Sequence, residues 1–400
     1  MALAELSRQR IMILGGGVYQ TPLIRKAKSM GLETIVVTPR GKYPGINIAD
    51  SWLDVDTTDV TRLVAAAKEL DIDGIVTAGT DVCMPAMGAV VDSLGLRGAS
   101  ADAALKSMNK AIMKQTLAEY DVATAKFETC SNASEGLRFA RKIGFPVMVK
   151  AVDSSGSRGI SRATSRDEFA AAWSRALSVS RSGHVIVEKF LEGTEFGAQA
   201  FVTGDRLVSV FPHNDTVTAP PCFTPIGHSM PTSLTEAQIS ETAELIERAV
   251  AALGIEDCVS NVDLMLVDGE PHIIEIGARI GATCLPENIS IYAGQDVYEY
   301  LIQLALGTSP TFDTVDRQAN ASRLLTSDKA GRVVQLPDPT GFKDYGHVVD
   351  FQWDVDMGDH VERFRVGPDR IGHIIVKSGS AEESETLVNG LASMLTPIVD

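Results

Sequence analysis

Apolar and polar positions alternate in short blocks along the first part of the chain, and the blocks predict strands and helices in turn. Ile11 to Leu14 is an apolar strand that runs into Gly15-Gly16-Gly17, Pro22 to Met30 has helical spacing, and Thr34 to Thr38 is a second strand. Strand, glycine turn, helix and strand form a βαβ unit, which predicts a parallel sheet. The turn lacks the third glycine of a dinucleotide fingerprint, because Gln20 stands there, so its support for a nicotinamide cofactor is weak.

The same pattern continues to Asp81. A helix is predicted over Thr61 to Leu70 and a buried strand over Gly74 to Ala78, which runs into Gly79-Thr80-Asp81. Ligands of open α/β sheets bind beyond the carboxyl ends of the strands, so we expect Asp81 and the Gly15 to Gly17 turn to share one crevice. Asp81 is therefore a candidate substrate-binding residue. The alternative is that it caps the helix that follows.

The pattern becomes strongly helical at Ala101. A strongly helical segment is predicted from Ala101 to Tyr120, and further helices over Glu135 to Ile143 and Arg166 to Leu177. The change in composition predicts a domain boundary near Ala104. A lysine on a helix is usually a solvated surface charge, and Lys110 alone is interpreted in that way.

The stretch from Phe145 to Gly159 is apolar up to Lys150 and then becomes a run of Ser, Gly and Arg. We predict a β-hairpin with a tip that is rich in hydrogen-bond donors. Small residues let backbone N–H groups approach an anion, and Lys150 and Arg158 supply positive charge, so the tip is a candidate phosphate-binding loop. An ordinary flexible hairpin is the alternative. The small residues concerned are Ser154, Ser155, Gly156, Ser157 and Gly159.

A buried strand that begins at His184 leads into a turn and a second strand, Phe196 to Val202. A purine pocket needs an apolar slot and backbone groups that bind the adenine edge, and the segment Glu188-Lys189-Phe190-Leu191 offers both. Glu195 lies just beyond the turn, where its carboxylate could accept hydrogen bonds from ribose hydroxyls. The alternative is a hairpin whose acidic side chains are merely solvated.

Pro212 to Leu234 shows no periodicity and is predicted to be a long loop. Loops of this length inside a domain are usually functional or disordered. His228, in Gly227-His228-Ser229-Met230-Pro231, is a candidate active-site residue, although a histidine in such a loop is more often structural. An amphipathic helix, Glu236 to Leu253, follows.

Two carboxylates fall on the facing strands of a second predicted hairpin. Its strands are Asn261 to Val267 and Pro271 to Ile276, and Asp263 lies opposite Glu275. Adjacent carboxylates repel unless a cation lies between them, so the pair is a candidate Mg²⁺ site that would also bind nucleotide phosphates. Arg279 follows in a glycine-rich loop, where it could stabilise a transferring phosphoryl group or bind a substrate carboxylate.

Length, charge and cysteine content narrow the class of protein. The chain has 400 residues and a formal net charge of −16, which suggests several domains and argues against binding to nucleic acid or anionic membranes. No apolar run reaches the ~18 residues of a membrane span and no signal-like segment begins the chain, so we expect a cytoplasmic protein. The five cysteines are far apart and never in CxxC spacing, which argues against a disulfide framework and a zinc site.

Taken in order, these motifs resemble the ATP-grasp superfamily from about Ile11 to Gly307. The likeness rests on Lys110, Lys150 with its Ser/Gly-rich loop, Glu188-Lys189-Phe190-Leu191 with Glu195, and Asp263 with Glu275 and Arg279. It implies an α/β and α+β multidomain protein with the ATP-grasp fold. A parallel-sheet pre-ATP-grasp domain would cover 1–104, an ATP-grasp domain 105–309, and a C-terminal lobe 310–400. Two α+β subdomains, about 105–184 and 185–309, would clamp ATP.

The resemblance also implies roles for individual residues. Phosphates of ATP would be held by Lys110 and Lys150 under the loop Ser154 to Gly159, the adenine by Glu188 to Leu191 and Met265, the ribose by Glu195, and Mg²⁺ or Mn²⁺ by Asp263 and Glu275. Many members have an Asn two residues after the second carboxylate as a further metal ligand, but Gly277 stands here. The Glu-x-Gly-Ala-Arg form, together with Gly227-His228, is instead similar to the bacterial L-amino-acid ligases, which join unprotected amino acids into dipeptides.

The reaction implied is attack of a substrate carboxylate on the γ-phosphate of ATP, followed by attack of an amine on the acylphosphate. Arg279 would serve the first half-reaction, whereas His228 and Asp81 would tune which amino acids fit. The expected partners are small carboxylates and amines, and a homodimer is the oligomer considered. The alternatives are an ATP-dependent carboxylase or purine-pathway ligase of the same fold, a nucleotide-binding subunit without turnover, and an NAD-dependent oxidoreductase.

Overall fold

A four-stranded parallel sheet forms the N-terminal part of the computed structural model, which describes residues 9–154, 156, 158–218, 224–312, 317–338, 341 and 346–400. Its elements are β1 (Arg10–Leu14), α1 (Thr21–Ser29), β2 (Glu33–Val37), β3 (Ser51–Leu53), α2 (Val60–Glu69), β4 (Gly74–Val76) and α3 (Met84–Leu94). The strands follow the order β3-β2-β1-β4, and every neighbouring pair is parallel. The predicted βαβ unit is therefore confirmed.

The strongly helical segment predicted from Ala101 to Tyr120 is confirmed, and it consists of two helices, α4 (Ala101–Met108) and α5 (Lys110–Glu119). The backbone of Asn109 is extended, with φ −95° and ψ 105°, and its side-chain oxygen accepts hydrogen bonds from the backbone N–H groups of Ala111 and Ile112. Asn109 therefore caps α5 in the way that asparagine favours. The break places Lys110 at the first position of a new helix.

An antiparallel four-stranded sheet covered by two helices follows. It contains β5 (Phe127–Cys130), α6 (Ala133–Ile143), β6 (Val147–Ala151), β7 (Ile160–Ala163), α7 (Arg166–Val179) and β8 (Val185–Lys189), with the strand order β5-β8-β6-β7. Phe139 of α6 and Phe169 and Trp173 of α7 pack with buried valines of the sheet. The hairpin predicted around Lys150 is confirmed, since Lys150 lies opposite Ile160 in an antiparallel pair.

A larger sheet of eight strands forms the centre of the remaining chain. Its order is β13-β12-β9-β10-β11-β14-β18-β16 and all its pairs are antiparallel. The elements from here to the C-terminus are β9 (Thr194–Thr203), β10 (Arg206–Val217), β11 (Pro225–Met230), α8 (Glu236–Leu253), β12 (Cys258–Val267), β13 (Glu270–Gly277), α9 (Leu285–Ala293), α10 (Val297–Ala305), β14 (Asn320–Leu325), β15 (Gly331–Gln335), β16 (Val348–Trp353), β17 (His360–Val361), β18 (Gly372–Lys377), α11 (Ala381–Met394) and β19 (Ile398–Val399).

The long loop predicted over Pro212 to Leu234 is wrong for most of its length. β10 continues to Val217 and β11 begins at Pro225, so His228 lies in a strand and not in a loop. The side chains of β10 and β11 are largely polar where they face the candidate site, and this polarity hides the alternation by which a half-buried strand is recognised.

The C-terminal strands continue the large sheet. β14 pairs with β11, β18 pairs with β14, and α11 packs on them through buried residues that include Val388 and Leu391. A small sheet, β17-β15-β19, completes this region. The domain boundaries near residues 104, 184 and 309 stay predictions.

Two further observations concern expectations from composition. Within the described part of the chain, no helix is both long enough and apolar enough to cross a membrane. The four cysteines that the structure describes, Cys83, Cys130, Cys258 and Cys284, are free thiols and are buried.

We expect Gly88→Ala to destabilise the protein by about 1–3 kcal/mol, although alanine is the better helix former. A Cβ at Gly88 in α3 would lie 2.7 Å from both Cα and N of Ala101, where α4 begins. Gly390→Ala is the matched control, because Gly390 is an exposed residue of α11 with no atom within 4 Å of the added Cβ. The control should gain about 0.5–1 kcal/mol. Urea unfolding measures both, and a stabilised Gly88→Ala protein would contradict the close approach of the helices.

Candidate active site

One face of the eight-stranded sheet carries a continuous polar surface. In β12, Val262 and Leu264 point to the face that packs on α8, so Asp263 between them points to the other face. Residues that lie opposite each other in antiparallel strands share a face. Across the strands the surface consists of Glu275, Asp263, Gly197 and His213 in one row, followed by Met265, Glu195, Asp215 and His228 in the next.

Asp263 and Glu275 face each other as the sequence predicts. Burial and the neighbouring Glu275 carboxylate raise the pKa of Asp263 to about 7. Asn261 Nδ2 donates a hydrogen bond to Asp263 Oδ1 at 2.9 Å. A raised carboxylate pKa shows that the local positive charge does not balance the negative charge, and two facing carboxylates offer the oxygen ligands that Mg²⁺ prefers. The pair therefore fits a divalent cation.

Lys110 connects the carboxylate pair to the predicted phosphate loop. Its buried ammonium donates hydrogen bonds to Glu275 Oε1 and to the backbone oxygen of Ser154, both at 2.8 Å. Although burial acts in the opposite direction, the Glu275 carboxylate raises the pKa of Lys110 above its usual value. Lys110 is therefore a positive charge held at the junction of the loop and the large sheet.

The loop itself is described only in part. Gly156 and Gly159 have φ values of 66° and 70°, a backbone conformation that glycine adopts without strain. Ser154 lies beside Lys110, and Ser155 and Ser157 lie outside the residues that the structure describes.

A second buried cluster consists of Lys150, Glu188 and Lys114. Lys150 Nζ lies 2.9 Å from Glu188 Oε2, and Lys114 Nζ lies 3.7 Å from the same oxygen. Although burial acts in the opposite direction, the two ammonium groups lower the pKa of Glu188, whereas burial lowers the pKa of Lys114 to about 8. Glu188 Oε1 has no hydrogen-bond partner among the described residues. The Glu188 carboxylate thus pairs with the two lysines. An adenine would therefore contact the backbone of the segment from Glu188 to Leu191.

Sequence reasoning missed Lys114. It also donates to the backbone oxygen of Ile273 at 3.2 Å and to Thr124 Oγ1, so its ammonium has two neutral acceptors besides the Glu188 carboxylate. The sequence signal that could have identified Lys114 is its position four residues after Lys110, which places both side chains on one face of α5.

The segment predicted to bind adenine and ribose begins in the last residues of β8, in the four-stranded antiparallel sheet. Backbone N–H groups of Lys189 and Phe190 donate to the oxygens of Lys126 and Pro146 at 2.8 and 3.3 Å. Lys189 Nζ lies 3.1 Å from the Gly144 oxygen. Leu191 is the residue after Phe190. Glu195 lies opposite Met265 in the eight-stranded sheet. The structure therefore brings Glu195 and Met265 together, whereas their contact with a nucleotide stays a prediction.

His228 belongs to a cluster that the sequence did not reveal. His213 Nδ1 and His228 Nδ1 lie 2.8 and 2.6 Å from the same atom, Asp215 Oδ1. The three side chains have the composition of a metal site, with ligand atoms within 4.8 Å of one another. In this structure, however, both Nδ1 atoms are engaged with the carboxylate oxygen, so the arrangement is a hydrogen-bonded His–Asp–His unit.

A chain of amide groups joins this unit to Asp263. The amide oxygen of Gln199 accepts from the backbone N–H of Gly281 at 2.7 Å, which identifies the other terminal atom as nitrogen. That nitrogen lies 2.7 Å from Asn261 Oδ1 and 3.3 Å from His213 Nε2. Asn261 donates in turn to Asp263. The carboxylate pair and the histidine unit therefore share one hydrogen-bond network.

Arg279 and Asp81 form a bidentate ion pair. Arg279 Nε and Nη2 lie 2.6 and 2.9 Å from the two carboxylate oxygens of Asp81. Although burial acts in the opposite direction, Arg279 lowers the pKa of Asp81. Asp81 does not cap α3, because Cys83 holds that position. A Cβ at Gly277 would lie 3.2 Å from Asp81 Oδ1, so this carboxylate fills the space where many superfamily members have an asparagine side chain.

The turn after Arg279 contains strained backbone. Thr283 and Cys284 have φ values of 56° and 65°, a region that a β-branched residue rarely adopts. Such conformations cluster at functional sites, where the surrounding structure holds them in place. No local sequence signal predicts this feature.

The Gly15 to Gly17 turn is closed by its own hydrogen bonds. The N–H of Gly15 donates to the Val37 oxygen at 2.8 Å, and that of Gly17 donates to Gln20 Oε1 at 3.0 Å. Gln20 Nε2 donates to the Ala78 oxygen at 2.5 Å. A dinucleotide site needs free amides in this turn, so the geometry argues against the oxidoreductase alternative.

Comparison with known families agrees with this geometry. Residues 143–287 match the ATP-grasp domain family, and residues 323–400 match the L-amino acid ligase C-terminal domain 2 family. The chain therefore contains an ATP-grasp domain followed by a C-terminal domain of the L-amino acid ligase type. The predicted ATP-grasp fold is confirmed, and so is the predicted class, ATP-dependent ligases that form C–N bonds and release ADP.

Individual relatives extend the likeness over nearly the whole chain. The phosphoribosylglycinamide synthetase structure from Anaerococcus prevotii is 28% identical, with a TM-score of 0.82, and covers 98% of this chain and 100% of its own. The L-amino acid ligase structure from Bacillus licheniformis has a TM-score of 0.85 at 18% identity, covering 98% of this chain and 99% of its own, and supports the fold. The phosphoribosylamine–glycine ligase of Halalkalibacterium halodurans is 27% identical over 68% of this chain and 67% of its own length.

We expect Glu188→Gln to lower the free energy of unfolding by about 3–5 kcal/mol, because it leaves the buried ammonium groups of Lys114 and Lys150 without their carboxylate. Glu192→Gln, an exposed change four residues later, is the control and should be nearly neutral. Thermal unfolding by circular dichroism compares the two variants. Equal melting temperatures would show that the Glu188 carboxylate does not stabilise the protein by pairing with Lys114 and Lys150.

Proposed function

We propose that this protein is an ATP- and Mg²⁺-dependent ligase that joins amino-acid-like substrates through an acylphosphate. The observation that supports this most directly is the polar face of the large sheet. It places a carboxylate pair at one end, tied to the phosphate loop by Lys110, and an imidazole with a free ring nitrogen at the other. Such a surface can serve phosphoryl transfer and amine attack side by side.

In this proposal the cations of the four-stranded antiparallel sheet and of α5 bind ATP. Lys110 and Lys150 contact the phosphates, and the loop from Ser154 to Gly159 closes over them. The backbone of Lys189 to Leu191 binds the adenine and Met265 packs against it, while Glu195 accepts hydrogen bonds from the ribose. Charge neutralisation and positioning are the main contributions that a protein makes to phosphoryl transfer.

Asp263 and Glu275 would hold Mg²⁺, or Mn²⁺ in its place. The ion, when bound, neutralises charge on the phosphates of ATP. The raised pKa of Asp263 supports this assignment, because a divalent cation would stabilise the carboxylate form that burial and Glu275 disfavour.

The substrate carboxylate would be oriented by Arg279. An oxygen of this carboxylate attacks the γ-phosphorus and ADP leaves, which gives the acylphosphate. The nitrogen of the second substrate then attacks the carbonyl carbon, and phosphate leaves. Because Asp81 already neutralises one edge of the guanidinium, Arg279 would act through its remaining donors, and Asp81 would influence substrate choice by fixing their direction.

The C-terminal domain favours amino acids as substrates, since residues 323–400 match the L-amino acid ligase C-terminal domain 2 family. A second candidate is a purine-pathway ligase that joins glycine to phosphoribosylamine, which the 28% identity to a phosphoribosylglycinamide synthetase favours. A phosphorylated sugar would need an anion site in the first domain, and the engaged amides of the Gly15 to Gly17 turn disfavour one there.

The experiment that tests the function measures ADP release from ATP and Mg²⁺ with carboxylate and amine substrates supplied singly and together. We expect full turnover only when both are present, and a dipeptide in the product mixture with pairs of unprotected amino acids. Phosphoribosylamine with glycine is the parallel arm for the second candidate. A rate of ATP hydrolysis that is independent of both substrates, or no turnover with any pair of substrates, would contradict the proposal.

We expect Glu275→Gln to reduce turnover about a hundredfold or more, because the metal-bound charge stabilisation amounts to several kcal/mol. Binding of Mn²⁺ in the presence of ADP, followed by electron paramagnetic resonance, should weaken in parallel. Glu270→Gln, an exposed change at the start of the same strand, is the control. Wild-type Mn²⁺ binding in the Glu275→Gln protein would remove Glu275 from the metal site.

A further inference from the structure

The free ring nitrogen of His228 is the feature that the proposed phosphoryl transfer leaves unexplained. His228 is 4% exposed, and its Nε2 atom has no hydrogen-bond partner in the part of the chain that the structure describes. A buried polar atom without a partner is costly unless a ligand or a reaction makes use of it. The ring is on the same sheet face as the carboxylate pair.

The hydrogen bonds determine which nitrogen of His228 is basic. Asp215 Oδ1 is a carboxylate oxygen, so His228 Nδ1, at 2.6 Å, must carry the proton that it donates. In a neutral ring the lone pair is then on Nε2. His213 is held in the same tautomer, because its Nε2 accepts from the Gln199 amide while its Nδ1 donates to Asp215. Asp215 thus receives two N–H donors and orients both rings.

We propose that His228, oriented by Asp215, is the general base that takes the proton from the attacking amine in the second half-reaction. This inference rests on the proposed ligase function and extends it to aminolysis. His228 Nε2 accepts a proton from the ammonium group of the second substrate, and the freed nitrogen lone pair forms a bond to the carbonyl carbon of the acylphosphate. The C–O bond to phosphate then breaks, and phosphate leaves with the electron pair and the remaining N–H proton.

The charged surroundings suit this role. Burial lowers the pKa of His228, which keeps the ring neutral before the reaction. Asp215 stabilises the imidazolium that forms afterwards. Glu195, in the strand next to β10, is a further carboxyl group on the same face.

The position along the sheet also fits. From β12, which carries Asp263, to β11, which carries His228, there are three strand spacings, or about 14 Å. Between them Gly197 has no side chain, and the His213 ring occupies the space above it, since a Cβ there would lie 2.2 Å from His213 Cε1.

The test compares two nucleophiles in the His228→Gln protein. Amino acids are mainly protonated at neutral pH and need a base when they attack, whereas hydroxylamine is already unprotonated. We expect His228→Gln to reduce dipeptide formation about 10²- to 10⁴-fold and hydroxamate formation less than about tenfold. The small loss with hydroxylamine would show that the acylphosphate still forms, which a merely structural role of His228 does not predict.

Two further proteins make the result decisive. Asp215→Asn keeps the ring but removes the charge that orients it, and we expect the same selective loss of dipeptide formation. His360→Gln, an exposed change in the C-terminal region, is the control and should behave as wild type. Equal losses with both nucleophiles, or none, would overturn the assignment of His228. If wild-type protein forms neither hydroxamate nor dipeptide, the ligase function itself is wrong.

Discussion

Neutralisation of buried charge is the constraint on which the site depends. The protein has a net charge of −16, yet three buried lysines, Lys110, Lys114 and Lys150, lie together in the site. Lys110 pairs with Glu275 across 165 residues of sequence, and Arg279 pairs with Asp81 across 198. A buried charge without a partner costs several kcal/mol, so these pairs require the first parallel sheet, α5 and the large sheet to meet. The site exists only where these parts of the chain are assembled.

Asp263 departs from this balanced arrangement. Its neighbours on the sheet face are acidic, and its pKa of about 7 shows that the carboxylate form is disfavoured. Lys110, Glu188 and the Arg279–Asp81 pair each have a partner of opposite sign, and Asp215 has two hydrogen-bonded imidazoles. The missing positive charge is what a bound cation would supply, which connects the electrostatics of the protein alone to the proposed Mg²⁺ site. The network through Asn261 and Gln199 then couples that charge to the histidine unit.

Local sequence patterns predicted much of the fold, because strands, helices and hairpins are specified largely by short-range periodicity. The βαβ unit, the hairpin around Lys150 and the facing positions of Asp263 and Glu275 all follow from alternation and turn residues. The break at Asn109 was missed because asparagine can continue a helical pattern as well as cap a helix. His213 and Asp215 were missed because β10 is polar where it faces the site, so its pattern resembles that of a loop.

Long-range pairs were beyond reach for a different reason. Nothing near Arg279 in sequence indicates that Asp81 engages its guanidinium, and nothing near Glu188 indicates that its side chain binds two lysines. The types and order of these charged residues in the sequence were enough to predict that they belong to one site. The partner of each charge depends on how sheets formed by distant segments pack, and that information is not local.

The order of strands suggests how such a ligase can keep one chemistry and vary its substrates. The carboxylate pair lies at the β13 edge, next to the cations that would hold ATP, whereas His228 lies on β11, whose other neighbour is β14 of the C-terminal region. The backbone N–H of His228 donates to Ser322 Oγ of that strand at 3.3 Å. The strands next to the proposed base on that side, β14 and β18, therefore lie largely within the region that matches the L-amino acid ligase C-terminal domain 2 family.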